Sequence, residues 1–452
     1  MKYLFRKHLL TLLWILVPSS GFAEDLIDIY RQALENDPVF KQAYSTYFSS
    51  REALPQAKAA LKPNLYVTGY VSRTSNNGDS QVGVAGDQSY NSASYTLAAS
   101  QPVFNYQSWM GVQKAKESVK QAEAAFNASA QDLIIRVAQA YLDVLQAKDK
   151  LRFTQAEKRA NLRQLEQAQQ RYKVGLDTIT SVYEAQAAYD SAVAQEISDK
   201  NNLINQFENL RTLTNRTHDL LAPLKESKLP LVKPNPANVD EWVKKALEQN
   251  YSLISSKYSM EAARKNIKQT QAGHYPTVDL QGSYTDLEND ASISTVEPTG
   301  NNSVVSLNLT FPVYQGGLVV SQTRQAQYDF QTAAGSYQSV YLNTLVNTRK
   351  AYNTIIDGIS KIKADKRAVV SSQNSLDSTE AQFQVGTRTM VDVLDAQQQL
   401  YQSQTQQAAD QYGYIKAILQ LKLSAGTLSV MDLQEINSWL NKDPKAAVRD
   451  PL

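Results

Sequence analysis

The stretch ALENDPVFKQAYSTYFSSREALPQAKAALKP begins at Ala33 and returns in altered form as ALEQNYSLISSKYSMEAARKNIKQTQAGHYP at Ala246. The two align without a gap at an offset of 213, pairing Leu34 with Leu247, Arg51 with Arg264, Pro63 with Pro276 and Gly69 with Gly282. Further on, QPVF at Gln101 answers FPVY at Phe311, and the AY of Ala140 answers that of Ala351. YKVGLDT at Tyr172 then answers FQVGTRT at Phe383, an offset of 211. This repeat constrains the fold more than any other feature, because whatever one copy builds the other must build again. A single period of about 210 residues means two copies of a sizeable unit, not a solenoid of short repeats.

Each copy carries the same order of signals. A helical stretch leads to Pro63 or Pro276. An alternating segment follows, NLYVTGYVS or TVDLQGSYT, then a polar loop expected over 73–92 or 286–302. A second alternating segment comes next, SYTLAASQPVF or SVVSLNLTFPV. In the latter, Val305, Leu307, Leu309, Phe311 and Val313 share one face, and Ser306, Asn308 and Thr310 share the other. That is a strand with one apolar and one polar side. A long helix then begins. Val112, Ala115, Val119, Ala122, Phe126, Ser129, Leu133, Val137, Ala140, Val144, Ala147 and Leu151 form a heptad seam with one extra step of four. Continued loosely to Tyr172, this helix reaches roughly 90 Å at 1.5 Å per residue. Gly175 or Gly386 breaks it, since glycine tolerates positive φ, and a second helix returns. Each copy therefore contains two strands and a very long helical hairpin.

The remaining segments frame these copies. Lys2, Arg6 and Lys7, the run LLTLLWILV and the small-residue ending GFA read as a secretory signal over residues 1–23. The copies occupy 24–222 and 238–427, with a linker at 223–237 containing Pro223, Pro230, Pro234 and Pro236. A short amphipathic helix and a polar tail fill 428–452. Removing the signal takes the formal net charge from +2 to −1, which gives no electrostatic case for nucleic acid. The absence of cysteine excludes disulfides, thiolate chemistry and an N-terminal lipid on cysteine.

After the signal no run approaches about 18 consecutive apolar residues, so no transmembrane helix is expected. Strands are the other structure that satisfies its own backbone in lipid. Four strands, however, leave two open edges, and the smallest common membrane barrels have about eight. Several chains must then contribute to one barrel, and three would supply about twelve strands. Tyr66, Tyr70, Tyr95 and Phe311 are candidates for an aromatic girdle at the membrane surface, or for packing between strands.

The turns VGLDTIT and VGTRTMVDVLDAQ, the duplicated strand–helix plan, the proline linker and LKLSAGTLSVMDL together resemble the TolC family of outer-membrane efflux channels. The likeness covers nearly the whole mature chain, and the absence of cysteine fits the non-lipidated branch. It implies a mainly α fold with a β-barrel portion, assembled as a homotrimer. Twelve strands would form one barrel in outer-membrane lipid. Twelve helices would form a coiled-coil tunnel through the periplasm, closed at its far tip, and residues 428–452 would carry an equatorial helix. The implied function is an exit duct for efflux and type I secretion in a Gram-negative bacterium. It would pass drugs, bile salts, dyes and also proteins, working with a periplasmic adaptor and an inner-membrane efflux or ABC transporter. No cofactor, metal or nucleic acid enters this picture.

The resemblance assigns roles at the tips. Asp392 and Asp395 lie three apart on one face of the helix after the second turn, and threefold symmetry would make them two rings of carboxylates. Crowding of like charges is expected to raise some of their pKa values. Arg388 is implied to hold the tip closed through the neighbouring hairpin, around Thr180 and Ser181. There the chain departs from the family, with Ser181 in place of an acid and Phe383 in place of a tyrosine. Asp177, one turn away, is a substitute for the missing acid. The exposed tips Val174, Gly175, Leu176 and Val385, Gly386, Thr387 are implied to meet the adaptor.

Two other classes compete. An enzyme finds little support: His218 and His274 are isolated, without an HExxH or serine-elbow pattern. A soluble periplasmic coiled-coil adaptor or scaffold would share the long helices, but it needs lipoyl-like or barrel segments between them, and none is legible.

Overall fold

In the computed structural model, residues 23–76, 88–225, 228–290 and 299–441 are described. Most of the signal segment, the cores of both expected polar loops and nearly all of the C-terminal tail lie outside the described residues. The elements of the two copies fall at nearly constant offset. Helix α1 (Leu26–Asn36) corresponds to α6 (Val239–Gln249), and α2 (Pro38–Arg51) with α3 (Ala53–Ala59) corresponds to α7 (Tyr251–Gln271). Strand β1 (Asn64–Asn76) matches β3 (Thr277–Asn289), and β2 (Gln88–Phe104) matches β4 (Gly300–Thr310). The long helices α4 (Tyr106–Lys173) and α8 (Leu318–Gln384) precede the return helices α5 (Ile179–Thr214) and α9 (Met390–Ser424). Helix α10 (Val430–Ser438) closes the chain.

Local chemistry explains where these elements start and stop. Asp25 and Asn238 cap α1 and α6, Asp37 and Asn250 cap α2 and α7, and Thr178 and Thr389 cap α5 and α9. The α2–α3 break has no counterpart in α7. Pro55 lacks an N–H and its ring clashes with the carbonyl four residues back, so the helix stops at Arg51 and restarts. The equivalent position in α7 is Lys268, which permits 21 unbroken residues.

The four strands form one antiparallel sheet in the order β1-β2-β3-β4. The pairing β2–β3 joins the copies, setting Leu97 opposite Tyr284 and Ala99 opposite Gly282. The strands run into the segments expected to be loops, to Asn76 and from Gln88 in the first copy and to Asn289 and from Gly300 in the second, because the ladder supplies backbone partners there. Leu65, Val67 and Val71, with Leu97 across the ladder and Leu280, Leu307 and Val305 beyond, line one face. Thr68, Thr96, Thr285 and Ser306 line the other. The apolar face is exposed, with Val71 at 82% and Val305 at 81%, so this chain leaves it uncovered. Strand alternation also places Tyr66 and Tyr70 on the polar face, opposite Ala98 and Ser94. Tyr95 belongs to the apolar face, and its hydroxyl donates to Asp286 Oδ2 at 2.9 Å.

The long helices extend about 100 Å at 1.5 Å per residue. Toward the sheet, α4 packs against α2, α3 and α7, and α7 packs against α8. Toward the other end, α4 pairs with α5 and α8 with α9, while α4 also meets α9. The main core lies between these regions. There the α4 seam widens until Leu133, Ile134, Ile135, Val137, Ala138, Tyr141, Leu142, Val144 and Leu145 are all buried. A heptad seam alone would bury about two residues in seven; helices α1 and α10, with α5 and α9, cover the remaining faces here.

The linker joins this core rather than looping free. Leu229 and Leu231 pack against it, Val232 N–H donates to the Tyr414 hydroxyl at 3.2 Å, and Leu224 bridges Leu440. No described helix is long and apolar enough to cross a membrane.

Candidate functional site

The end of the hairpins farthest from the sheet holds the residues that the turns bring together. Both turns are Schellman motifs. In the first, Gly175 N–H bonds to Tyr172 O at 3.0 Å and Leu176 N–H to Arg171 O at 2.9 Å. In the second, Gly386 N–H bonds to Phe383 O at 3.1 Å and Thr387 N–H to Gln382 O at 3.0 Å. The motif needs a left-handed residue, and Gly175 and Gly386 supply φ of 76° and 80°. The tips present Val174, Leu176 and Val385 to solvent at 69, 68 and 75% exposure.

A second hydrophobic cluster sits just behind the tips and joins the two hairpins. Leu165, Ala168 and Ala185 come from the first hairpin, and Leu376, Phe383, Met390, Val393, Leu394 and Leu400 from the second. Polar contacts run beside it. Gln397 Nε2 donates to Asn161 Oδ1 at 2.5 Å, and Gln164 Nε2 to Glu380 Oε1 at 3.3 Å.

The two aspartates of the second return helix have different surroundings. Asp392 is a capping-box residue: its Oδ2 accepts from Thr389 N–H and from the Thr389 hydroxyl, each at 2.8 Å. Arg388 Nη1 lies 3.4 Å from its Oδ1. The Thr389 N–H bond first, then the hydroxyl and Arg388, hold this carboxyl below its usual range. Within one chain it therefore shifts in the direction opposite to that expected from crowded acids. Asp395 is exposed and lines a groove of about 860 Å³ between α4, α5 and α9. Glu157 and Glu184 share that groove, and burial, with the Asp199 charge second, pushes Glu157 up. The aspartates thus share a helix turn but not a microenvironment.

Arg388 binds its own hairpin here. Besides Asp392, its Nε donates to Gln382 Oε1 at 3.2 Å. Thr180 is exposed. Asp177 and Ser181 meet directly: the Ser181 hydroxyl donates to Asp177 Oδ1 at 2.6 Å, and Thr178 N–H donates to the same oxygen at 2.8 Å. Asp177 Oδ2 faces Arg171 Nε at 3.6 Å. The Arg171 guanidinium lies 4.9 Å from the centroid of the Phe383 ring, which is 6% exposed. Asp177, Ser181 and Phe383 are therefore joined through Arg171, a residue the sequence did not single out. Its partner stands 212 positions away, and nothing local in the sequence marks it.

His218 is not isolated. Its Nε2 lies 2.7 Å from the Thr214 hydroxyl, and its Nδ1 lies 2.5 Å from Glu24 Oε2. Hydroxyl, imidazole and carboxylate thus stand in the order of a hydrolytic triad. Thr214, however, is fully buried, and its hydroxyl also lies within hydrogen-bond reach of Leu210 O and Arg216 O. The chain of contacts fastens Glu24 beside the end of α5. Among the described residues no group of His, Asp and Glu is arranged to hold a metal ion.

Aromatic residues collect where strands become helices. Phe104, Trp109, Tyr275, Phe311 and Tyr314 are all exposed there, and Tyr106 stacks on Trp109 at 5.7 Å and tilts against Tyr275 at 5.2 Å. The clustering of FNYQSW, HYP and FPVY at the ends of the alternating segments is the sequence signal for this belt.

The family described as "Outer membrane efflux protein" matches residues 29–216 and 242–427, one span in each copy. The chain is 35% identical over 425 residues to the outer membrane protein TolC of Vibrio cholerae serotype O1, covering 93% of this chain and 95% of that protein. It is 29% identical over 429 residues to the alkaline protease secretion protein AprF of Pseudomonas aeruginosa, covering 93% of this chain and 88% of that one. Among solved structures, CusC superposes with a TM-score of 0.79 at 17% identity, over 89% of this chain and 92% of CusC. VceC of Vibrio cholerae superposes with a TM-score of 0.77 at 19% identity, over 89% and 96% of the two chains.

Proposed function

The chain belongs to the outer membrane efflux protein family, and from that premise we propose that it is an outer-membrane exit duct for efflux and type I secretion. The observation that carries this reading is one four-stranded sheet with two unpaired edges, continuous with two hairpins about 100 Å long. An exposed apolar sheet face suits lipid, and helices of this length suit a passage across the periplasm. The soluble-adaptor alternative loses its ground once the family is known.

Three copies complete the architecture. β1 continues from α2 and α3 on one side of the sheet, and β4 leads toward α8 on the other. Pairing the β1 edge of one copy with the β4 edge of the next gives a closed barrel and removes the unpaired backbone. The same rotation brings the exposed Tyr44 and Phe48 of α2 toward the exposed Tyr328, Leu342 and Val346 of a neighbour's α8. Near the sheet each copy offers α2–α3, α4, α7 and α8, and toward the tips α4, α5, α8 and α9. Three copies then line the tunnel with twelve helices at each level.

The working parts lie at the tips. Asp392 and Asp395 line the constriction. Arg388, Thr180, Ser181, Phe383 and Asp177 hold the tips closed, with Arg388 exchanging its intrachain partners for the neighbouring hairpin around Thr180 and Ser181. Val174, Gly175 and Leu176, with Val385, Gly386 and Thr387, receive a periplasmic adaptor. An inner-membrane efflux or ABC transporter supplies the energy and chooses the cargo. Small amphiphiles such as drugs, bile salts and dyes fit this role. Protein cargo fits the protease secretion for which AprF and the proteases secretion protein PrtF of Dickeya chrysanthemi are named. Residues 1–23 direct export. The mass of the detergent-solubilised protein tests the assembly: three chains per particle are expected, and a monomer that still conducts ions would refute it.

A further inference from the structure

Arg171 occupies two structural roles at once. Its backbone carbonyl closes the first tip turn by accepting from Leu176 N–H, and its side chain crosses to the second hairpin to lie over Phe383. Asp177 sets the position of the guanidinium. Thr178 N–H and the Ser181 hydroxyl hold Asp177 Oδ1, which leaves Oδ2 facing Arg171 Nε. That separation of 3.6 Å is an ion-pair distance, longer than a hydrogen bond, and neither atom has a hydrogen-bond partner among the described residues. Both side chains are largely covered, at 25% and 12% exposure, so solvent screens their charges less than at an open surface.

The corresponding position in the second copy is Gln382. Its carbonyl closes the second turn in the same way, but its side chain accepts from Arg388 within the same hairpin. The cationic arm between hairpins therefore belongs to one copy alone. The apolar contacts behind the tips are non-directional and tolerate small slides. A guanidinium stacked on a ring depends on face and distance, so it registers relative movement of the hairpins more sharply. Leu176, the turn residue bonded to Arg171, is among the most exposed apolar residues of the tip.

We propose that Arg171 couples the shape of the first tip turn to the grip between the two hairpins. A partner that displaces Leu176 shifts the Arg171 backbone, withdraws the guanidinium from Phe383 and loosens the tip. This rests on the exit-duct reading and deepens it by naming the residue through which docking reaches the closed end.

Single-channel recording in planar bilayers tests it, using the full mature protein and the variants Arg171→Gln, Phe383→Leu, their combination, and Phe383→Tyr. Phe383→Leu keeps an apolar side chain but removes the ring face; Phe383→Tyr keeps the face. Arg171→Gln and Phe383→Leu should each raise the open-to-closed ratio about threefold to thirtyfold, the range of a stacked cation. The double variant should do no more than the larger single one, and Phe383→Tyr, which keeps the ring face and adds a hydroxyl, should open no more than wild type. Additive effects, or Arg171→Gln opening no more than wild type, would overturn the proposal. Should Phe383→Leu fail to assemble, Arg171→Gln against Phe383→Tyr decides alone. A silent wild-type protein contradicts the duct reading and this inference with it, whereas a conducting wild type with unaltered variants contradicts only the role of Arg171.

Discussion

Asp392 and Asp395 share one turn of α9 but differ in what their carboxylates hold. Asp392 caps its own helix and faces Arg388, and these bonds keep it ionised. Replacing it removes a helix cap as well as a charge. Asp395 makes no such cap, so Asp395→Asn changes charge with little cost to the fold. In bilayers under a salt gradient, Asp395→Asn should shift the reversal potential toward lower cation preference while leaving the thermal unfolding midpoint unchanged. Asp392→Asn should lower both. An unchanged reversal potential in Asp395→Asn would remove that residue from the constriction. The pairing of these acids on one face was legible from their spacing alone. Their unequal surroundings were not, because the cap depends on where α9 starts, and a spacing of three fits either side of that boundary.

Among the elements, the α8–α9 hairpin carries its own acid pair, away from the tip. Lys361 Nζ and Gln406 Nε2 each donate to Asp410 at 2.8 Å. Asp365, whose Oδ2 is buried, is pushed up to about 6 by burial and then by its contact with Asp410. Asp410 is itself held below its usual range, with its donors outweighing burial. Asp365 binds its proton more tightly in the folded hairpin than in the unfolded chain. Its contribution to stability is therefore full below about pH 4 and is lost as pH rises through about 6. Asp410 has the opposite sign and acts at lower pH. Thermal unfolding of the detergent-solubilised protein should show a midpoint that falls between about pH 4.5 and 6.5, and Asp365→Asn should flatten that slope. An equal slope in both proteins would contradict this assignment. The hairpins themselves were readable in the sequence, since the α4 seam and the two glycine turns are local signals. The all-round burial from Leu133 to Leu145 was not, because it depends on α1, α5, α9 and α10 arriving from elsewhere in the chain. The strand faces were half legible: alternation with Leu65, Val67 and Val71 already separates Tyr66 and Tyr70 from the apolar side. The belt of Phe104, Trp109 and Tyr275 is marked in the sequence by FNYQSW and HYP, but its gathering at one level follows from where the strands end.

At the scale of the whole molecule, the duplication explains both what one chain supplies and what it lacks. Two copies give one continuous sheet and two hairpins, gathered at a central core where Glu24, the linker and α10 converge. The sheet remains open at β1 and β4, and the helices leave Tyr44, Phe48, Tyr328 and Leu342 exposed. Those uncovered edges and faces lie on opposite sides of the same unit, as rotational closure requires. Closure of this kind yields a passage from the tips to the barrel mouth. Purified protein reconstituted in a planar lipid bilayer gives the most direct test. Discrete, cation-preferring conductance steps that grow when the tip contacts are weakened are expected; a protein that inserts as a trimer and carries no current, even with those contacts cut, would contradict the exit duct.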